Sequence, residues 1–263
     1  MLQRRGFLKL AAGGLVAGRY WPGVVQARAI RSECFRFAVI NDLHYHDKKC
    51  SPWFVRLVEK LNSLQPELVL ILGDLVEMGT RQEHQEMADH LRVLKMPWYV
   101  VPGNHDYISD TDRLSYDSLH AGRSNYLVEQ GGWQFVGLDT TGGRQSRGVR
   151  VSAETLRWLD QHLPKMNKNK PTAIFTHFPL LFGVPFILKD ARPILERFVD
   201  FNLQHVFSGH WHGFTELKRL PIIYTTGKCC SYRRENHDHT PEKGFFLCEA
   251  ADGKLTREFI RMQ

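Results

Sequence analysis

Short apolar blocks alternate with longer amphipathic ones along the first half of the chain. The runs Phe35 to Ile40, Leu68 to Leu72 and Trp98 to Val101 are rich in β-branched, aromatic and leucine side chains, and each breaks off into a polar or glycine-bearing cluster. Apolar runs of this length, bounded by turn residues, predict buried strands. Between them, Ser51 to Leu64 and Arg81 to Leu94 place apolar residues at helical spacing, the first opened by Ser51-Pro52. The order is βαβαβ. Further on, Tyr126 to Val128 and Trp133 to Leu138 flank Gly131-Gly132 and predict a hairpin. A helix from Ser152 to Leu163 with Ser152 as its N-cap follows, then a strand (Thr172 to Phe175), a helix (Asp190 to Phe201) and a strand (His205 to Phe207). Closing hairpins fall around Pro221 to Thr226 and Phe245 to Ile260. The pattern is a mixed α/β fold with added antiparallel strands.

Composition narrows this. The chain has 263 residues, 43% of them hydrophobic, which excludes disorder, collagen and a small disulfide-stapled scaffold. No linker-like stretch or internal repeat divides it, so one domain is expected. The formal charge of +7 suggests an anionic partner until its location is considered. Residues 1–29 hold Arg4, Arg5, Lys9, Arg19 and Arg28 and no acid, leaving 30 basic against 28 acidic side chains in the remainder. The remaining basic runs, Lys165 to Lys170 and Arg233-Arg234, are short, and no nucleic-acid partner is expected.

The leader speaks to compartment. Gln3-Arg4-Arg5-Gly6-Phe7-Leu8-Lys9 is a cationic segment, followed by a modestly apolar Leu10 to Gly18 and by the small-x-small site Ala27-Arg28-Ala29. The apolar stretch is shorter than the roughly 20 residues needed to span a bilayer, and no transmembrane segment is expected elsewhere. Paired arginines before Phe-Leu-Lys, with a Gly/Ala-rich run after them, resemble a twin-arginine export signal. The resemblance implies residues 1–29 as signal peptide, residues 30–263 as the mature domain, the twin-arginine export machinery as partner of the precursor, and a periplasmic or otherwise extracytoplasmic product. Five cysteines, Cys34, Cys50, Cys229, Cys230 and Cys248, cannot all pair, and export after cytoplasmic folding argues against a disulfide framework.

Candidate chemistry lies where the strands end. In order, the clusters read Asp42-Leu43-His44, Gly73-Asp74-Leu75-Val76-Glu77, Gly103-Asn104-His105-Asp106, Thr176-His177 and Gly209-His210-Trp211-His212. Loops at strand C-termini of an open α/β sheet share one crevice, so these residues can converge. Carboxylate, carboxamide and imidazole donors suit borderline divalent metals, and the absence of cysteine from the set excludes a structural zinc knuckle. Outside the clusters, His46, His84, His90, His120, His162 and His205 read as hydrogen-bonded structural residues. Phe178 to Phe186 is either a wall for a base or an acyl chain or core packing, and Arg233 to His239 reads as a surface run.

These five clusters resemble the calcineurin-like metallophosphoesterase family, whose pattern D-x-H, G-D-x-x-[DE], G-N-H-[DE], H, G-H-x-H is matched in full and in order. The resemblance implies a four-layer α/β/β/α sandwich and two divalent metal ions of the Mn, Fe, Zn or Co type. It carries one ion to Asp42, His44, Asp74 and His212 and the other to Asp74, Asn104, His177 and His210, with Asp74 bridging. It further implies His105 as a non-ligand catalytic histidine, oriented by Glu77 or Asp106. Which acid does so stays open, because Glu77 stands where the family commonly has Asp, and Glu77 also reads as a helix N-terminal acid. The expected activity is hydrolysis of a phosphomonoester or phosphodiester by a metal-bound hydroxide. Alternatives are a nucleotide or lipid-linked diphosphate hydrolase at the membrane surface, or a non-catalytic metal-binding relative. A purple acid phosphatase would need Tyr at Glu77.

Overall fold

The strand β1 (Phe35–Ile40) is apolar on both faces because it lies between two cores. The computed structural model describes residues 34–181 and 183–263. The leader assigned to residues 1–29 lies outside them, as does Phe182. In chain order there follow α1 (Ser51–Leu64), β2 (Leu68–Ile71), α2 (Arg81–Leu91), β3 (Trp98–Val100), α3 (Leu114–Leu119), β4 (Tyr126–Gln130) and β5 (Trp133–Leu138). The second half holds α4 (Ala153–His162), β6 (Thr172–Thr176), α5 (Arg192–Arg197), β7 (Leu203–Ser208), β8 (Thr215–Arg219), β9 (Ile222–Thr226), β10 (Lys243–Ala251) and β11 (Lys254–Met262).

Two sheets form. The first has the order β11-β10-β1-β2-β3, with β1, β2 and β3 parallel and the β10-β11 hairpin added antiparallel to β1. The second has the order β4-β5-β6-β7-β9-β8, parallel from β5 to β9, with antiparallel edges at β4 and β8. Side chains alternate across a strand, so each strand feeds two cores. Phe35, Phe37 and Val39 meet Phe135, Phe175 and Phe207 of the second sheet, while Ala38 and Ile40 face Phe54, Leu57 and Leu61 of α1. The outer face of the second sheet, with Val136, Ile174 and Val206, packs on Leu159, Ile194 and Phe198 of the helical layer. Helix, sheet, sheet, helix: the expected α/β/β/α sandwich is what forms. Between the sheets the rings of Phe37 and Phe135 meet edge-on at 5.0 Å, both fully buried. Burying one such ring contributes about 1.5–3 kcal/mol, and this aromatic layer fixes how the two sets of strand ends face each other.

The differences from expectation are local. Helix α2 stops at Leu91 rather than Leu94, where Leu94 N donates to Leu91 O at 3.1 Å in a turn that leads to Pro97 and β3. Helix α5 spans only Arg192–Arg197 of the expected Asp190 to Phe201, because Phe198 and Phe201 bond three residues back, to Leu195 O and Phe198 O, and the chain turns. Helix α3 buries only Tyr116, and the edge strand β8 is half-buried to exposed throughout; neither leaves a hydrophobic period to read. All five cysteines are unpaired, and four are buried. No helix among the described residues is long and apolar enough to cross a membrane.

Candidate metal centre

The parallel strands of both sheets deliver their C-terminal loops to one place. The first sheet contributes Asp42 and His44 after β1, Asp74 after β2 and Asn104 after β3; the second contributes His177 after β6 and His210 and His212 after β7. Backbone bonds lace the first two loops together, with Leu43 N and His44 N both donating to Asp74 O at 2.9 Å. Five of these seven residues, Asp42, His44, Asp74, His210 and His212, hold left-handed backbone with φ between 48° and 65°. Such conformations cost about 1–3 kcal/mol each for a residue with a side chain and persist only where the surroundings impose them. The glycines explain how the loops close. A Cβ on Gly103 would collide with the Asp74 carboxylate and backbone, and one on Gly73 would lie 2.7 Å from Gly103 N and 2.8 Å from His177 Nδ1.

The donors fall into two groups that share a carboxylate, with His44, Glu77 and His105 as a third cluster beside the first. Asp42, His44, Asp74 and His212 form one and Asp74, His177 and His210 the other, the ligand atoms of each within 4.8 Å of one another. Asn104 joins the second, its Oδ1 lying 3.2 Å from His177 Nε2. Within the groups, Asp74 Oδ2 is 3.5 Å from His44 Nε2 and Asp74 Oδ1 is 3.4 Å from His177 Nε2.

The imidazoles are turned with their second nitrogens outward. His177 Nδ1 donates to Leu72 O at 2.8 Å, His210 Nε2 to Ser146 O at 2.9 Å, and His212 Nδ1 to Glu235 O at 3.3 Å. A carbonyl oxygen can only accept, so in the neutral rings the proton sits outward and the lone pair faces the centre. There His210 Nδ1 lies 3.2 Å from His177 Nε2, and His44 Nε2 lies 3.1 Å from His212 Nε2. Lone pairs meeting lone pairs at that distance call for cations between them. The titration behaviour says the same. Burial opposes protonation of His177 and His212, yet Asp74 and Asp42 raise His177 to about 9 and Asp42 raises His212 to about 10. Burial keeps His44 and His210 neutral, at about 4 and about 3. Two buried carboxylates thus demand positive charge at the centre, and the donor set fits two divalent ions.

His105, Glu77 and Asp106 sit at this centre in three different ways. His105 Nδ1 donates to the backbone carbonyl of Glu77 at 2.8 Å, and its backbone N–H donates to Asp74 Oδ1 at 2.8 Å. The Glu77 carboxylate is 3.9 Å from the His105 ring and closer, 3.2 Å, to His44 Nδ1, though not aligned for a hydrogen bond. Arg234 grips the same carboxylate through Nε and Nη2. Burial alone would raise the Glu77 carboxyl; His44 and Arg234 hold it well below the carboxylate range. Asp106 turns away from the His105 ring. Its buried carboxylate accepts from Leu75 N (2.9 Å), Val76 N (3.3 Å) and Gly103 N (2.8 Å), clamping the second ligand loop to the third. Burial, with Asp74 nearby, pushes Asp106 up to about 7.

Several contributors lay beyond sequence reasoning. Asn41 holds Asp42 Oδ2 at 2.5 Å while bonding Gly227 O, and Glu83 accepts from both Met78 N and Thr80 N to pin the loop after Glu77. Arg234, read as part of a surface run, reaches across 157 residues of chain to Glu77. The Phe178 to Phe186 segment divides: Phe178, Leu180 and Leu181 are core, whereas Phe186 is partly exposed. His46, His84, His90, His120, His162 and His205 lie outside both donor groups.

Comparison with known proteins agrees with this geometry. The sequence pattern of the calcineurin-like phosphoesterase family matches residues 35–214. A 3',5'-cyclic-nucleotide phosphodiesterase of Nostoc sp. is 35% identical over 225 residues, 80% of this chain and 82% of the relative. A glycerophosphodiester phosphodiesterase of Enterobacter lignolyticus is 29% identical over 174 residues, 60% of this chain and 61% of the relative. A dimetal phosphatase structure from Danio rerio superposes with a TM-score of 0.66 at 16% identity, over 86% of this chain and 96% of that one, which speaks to fold alone. With every motif residue at one centre and the family pattern covering most of the described chain, the protein belongs to the calcineurin-like phosphoesterase family and is a metal-dependent phosphoric ester hydrolase.

Proposed function

We propose that the protein is an exported phosphodiesterase whose substrates are 3',5'-cyclic nucleotides. The observation that carries the reading is the pair of donor groups meeting at Asp74 with His105 beside them, in a chain that resembles the Nostoc enzyme over most of both lengths. Paired divalent ions supply Lewis acidity and a lowered water pKa for in-line displacement at phosphorus. The chain's own residues do the rest. Asp42, His44, Asp74 and His212 would hold one ion, and Asp74, Asn104, His177 and His210 the other. His105, its Nδ1 fixed on Glu77 O, presents Nε2 to protonate the leaving alkoxide. Glu77, gripped by Arg234, sets a carboxylate charge 3.2 Å from Nδ1 of the ligand ring His44, a task different from orienting His105. Asp106 serves as the loop clamp. Tyr45 OH bonds Glu86, and Tyr107 OH lies against Thr141, so neither phenol is offered to a metal. A lipid-linked substrate draws little support, since Phe178, Leu180 and Leu181 of the apolar segment that suggested it are core.

The test is metal analysis of the purified mature protein, then turnover of cyclic nucleotides, glycerophosphodiesters, phosphomonoesters and diphosphates. Two divalent ions per chain, no intense visible tyrosinate band, inactivation by chelator with recovery on adding Mn²⁺, and preference for cyclic nucleotides are expected. Preference for a monoester or a diphosphate would reject the diester reading.

Glu77→Gln keeps the side chain's size but removes the charge between Arg234 and His44. Loss of such an outer partner weakens metal binding about 10- to 100-fold. The expected result of a metal titration is that weakening for one ion with the other unaffected; equal weakening of both would assign Glu77 a different part.

The export reading rests on the residues of the leader. Changing Arg4 and Arg5 together to Lys is expected to leave uncleaved precursor in the cytoplasm, because the arginine pair is the feature the exporter reads. Fractionation showing unchanged export would place the leader in the general secretory class.

A further inference from the structure

We propose that Phe186, Trp211 and His237, with Arg147 above them, form an aromatic ledge that takes the base of a nucleotide beside the metal centre. The inference rests on the phosphodiesterase reading and names what that site would recognise beyond phosphate. The ledge begins on the metal ligands. His237 stacks on His212 with centroids 4.8 Å apart and planes 10° from parallel, and His237 N donates to His212 O at 2.9 Å. Phe186 lies 5.8 Å from the ring of His210, 6.1 Å from Trp211 and 5.5 Å from His237, and Trp211 and His237 are 5.4 Å apart. The Arg147 guanidinium sits over the Phe186 ring at 4.4 Å. Unlike Phe178, which is fully buried, Phe186 and Trp211 are partly exposed and His237 and Arg147 are exposed. Phe186 also holds left-handed backbone, φ 63°, an unfavourable state for a bulky residue that keeps its ring among the others.

The chemistry of the surface selects its ligand. Aromatic faces and a guanidinium plane stack on a heterocycle, and stacking tolerates any base because every base has a π-face. An acyl chain would call for aliphatic lining and gains nothing from imidazole or guanidinium. A glycerol or small alcohol group has no π-face to stack on the ledge. The ledge would therefore separate nucleotides from other phosphodiesters that the same metal centre could cleave.

Isothermal titration of the Mn²⁺-loaded protein with AMP and with ribose 5-phosphate isolates the base from the phosphate and sugar. In the wild type AMP is expected to bind at least about ten-fold tighter than ribose 5-phosphate, within the range of one base stack. Phe186→Ala and Phe186→Leu are expected to cut that ratio about ten-fold, and Phe186→Tyr to keep it; the Leu variant preserves bulk should the Ala variant fold poorly. Equal affinities in the wild type, or a ratio untouched in Phe186→Leu, would overturn the proposal. The two readings fail separately: a base preference lost with Phe186 in a protein that cleaves no cyclic nucleotide keeps the ledge and rejects the cyclic substrate.

Discussion

Replacing Asp74 with alanine is expected to abolish turnover and lower metal content at both sites together. The reason is its position: its two oxygens lie 3.5 Å and 3.4 Å from His44 Nε2 and His177 Nε2, one in each donor group. No other residue belongs to both groups. Removing it also frees the His105 backbone N–H that it accepts, so the loop carrying Asn104 loses an anchor. Activity is expected to fall by more than about 10³-fold, the order lost when preorganised electrostatic stabilisation is removed. Asp74→Asn separates charge from shape: the side chain still fits above Gly103, but one fewer negative charge faces the metals. Metal analysis decides the matter. Two ions per chain in the Asp74→Ala protein would rule out a bridging role.

His105→Ala should behave in the opposite way, keeping both metals while turnover falls about 10²- to 10⁴-fold, the usual contribution of a general acid. The structure explains why metal binding survives. What His105 gives to Asp74 is its backbone N–H, which alanine retains, whereas the ring's one hydrogen bond is from Nδ1 to the Glu77 carbonyl, beside contacts with the Glu77 carboxylate and the His44 ring. The deficit should be larger for substrates with poor leaving alkoxides than for nitrophenyl esters, which leave without a proton. Loss of metal in this variant would make His105 a ligand and redraw the first donor group, whose His44 ring it adjoins.

The ligands were legible in the sequence because each follows an apolar strand run and has a side chain suited to one task. The rule that loops at strand ends converge brings Asp42, Asp74, His177 and His210 together, and the family resemblance allots them to two ions. The supporting contacts were not legible, for two reasons. Some use the backbone: the partner of His105 Nδ1 is the carbonyl of Glu77, and any residue has a carbonyl, so attention fell on the side chains of Glu77 and Asp106 instead. Others join distant segments. Nothing local to Arg234 distinguishes it from its exposed neighbour Arg233, and only folding brings it to Glu77. The same holds for Phe178 to Phe186, whose two ends are equally apolar; the buried place of Phe178 and the outer place of Phe186 depend on the helical layer packed beneath one end. Short elements such as α3 and β8 failed for want of a hydrophobic face, not through a competing pattern.

The division of ligands between the sheets has a mechanical consequence. Every oxygen donor comes from the first sheet, and every imidazole except His44 from the second. The centre is therefore a seam, closed by ions that fasten one sheet to the other at a single end. Metal loading should stiffen the sandwich as a whole, since ions that bind only the assembled seam stabilise it by mass action. Conversely, how far the imidazoles of the second sheet stand from the carboxylates of the first depends on a distant feature, the thickness of the aromatic layer in which Phe37 meets Phe135 and Phe207. A change of ring volume there would move the two halves of the centre apart or together like the jaws of a clamp, and chemistry would register an alteration in which no catalytic residue had been touched.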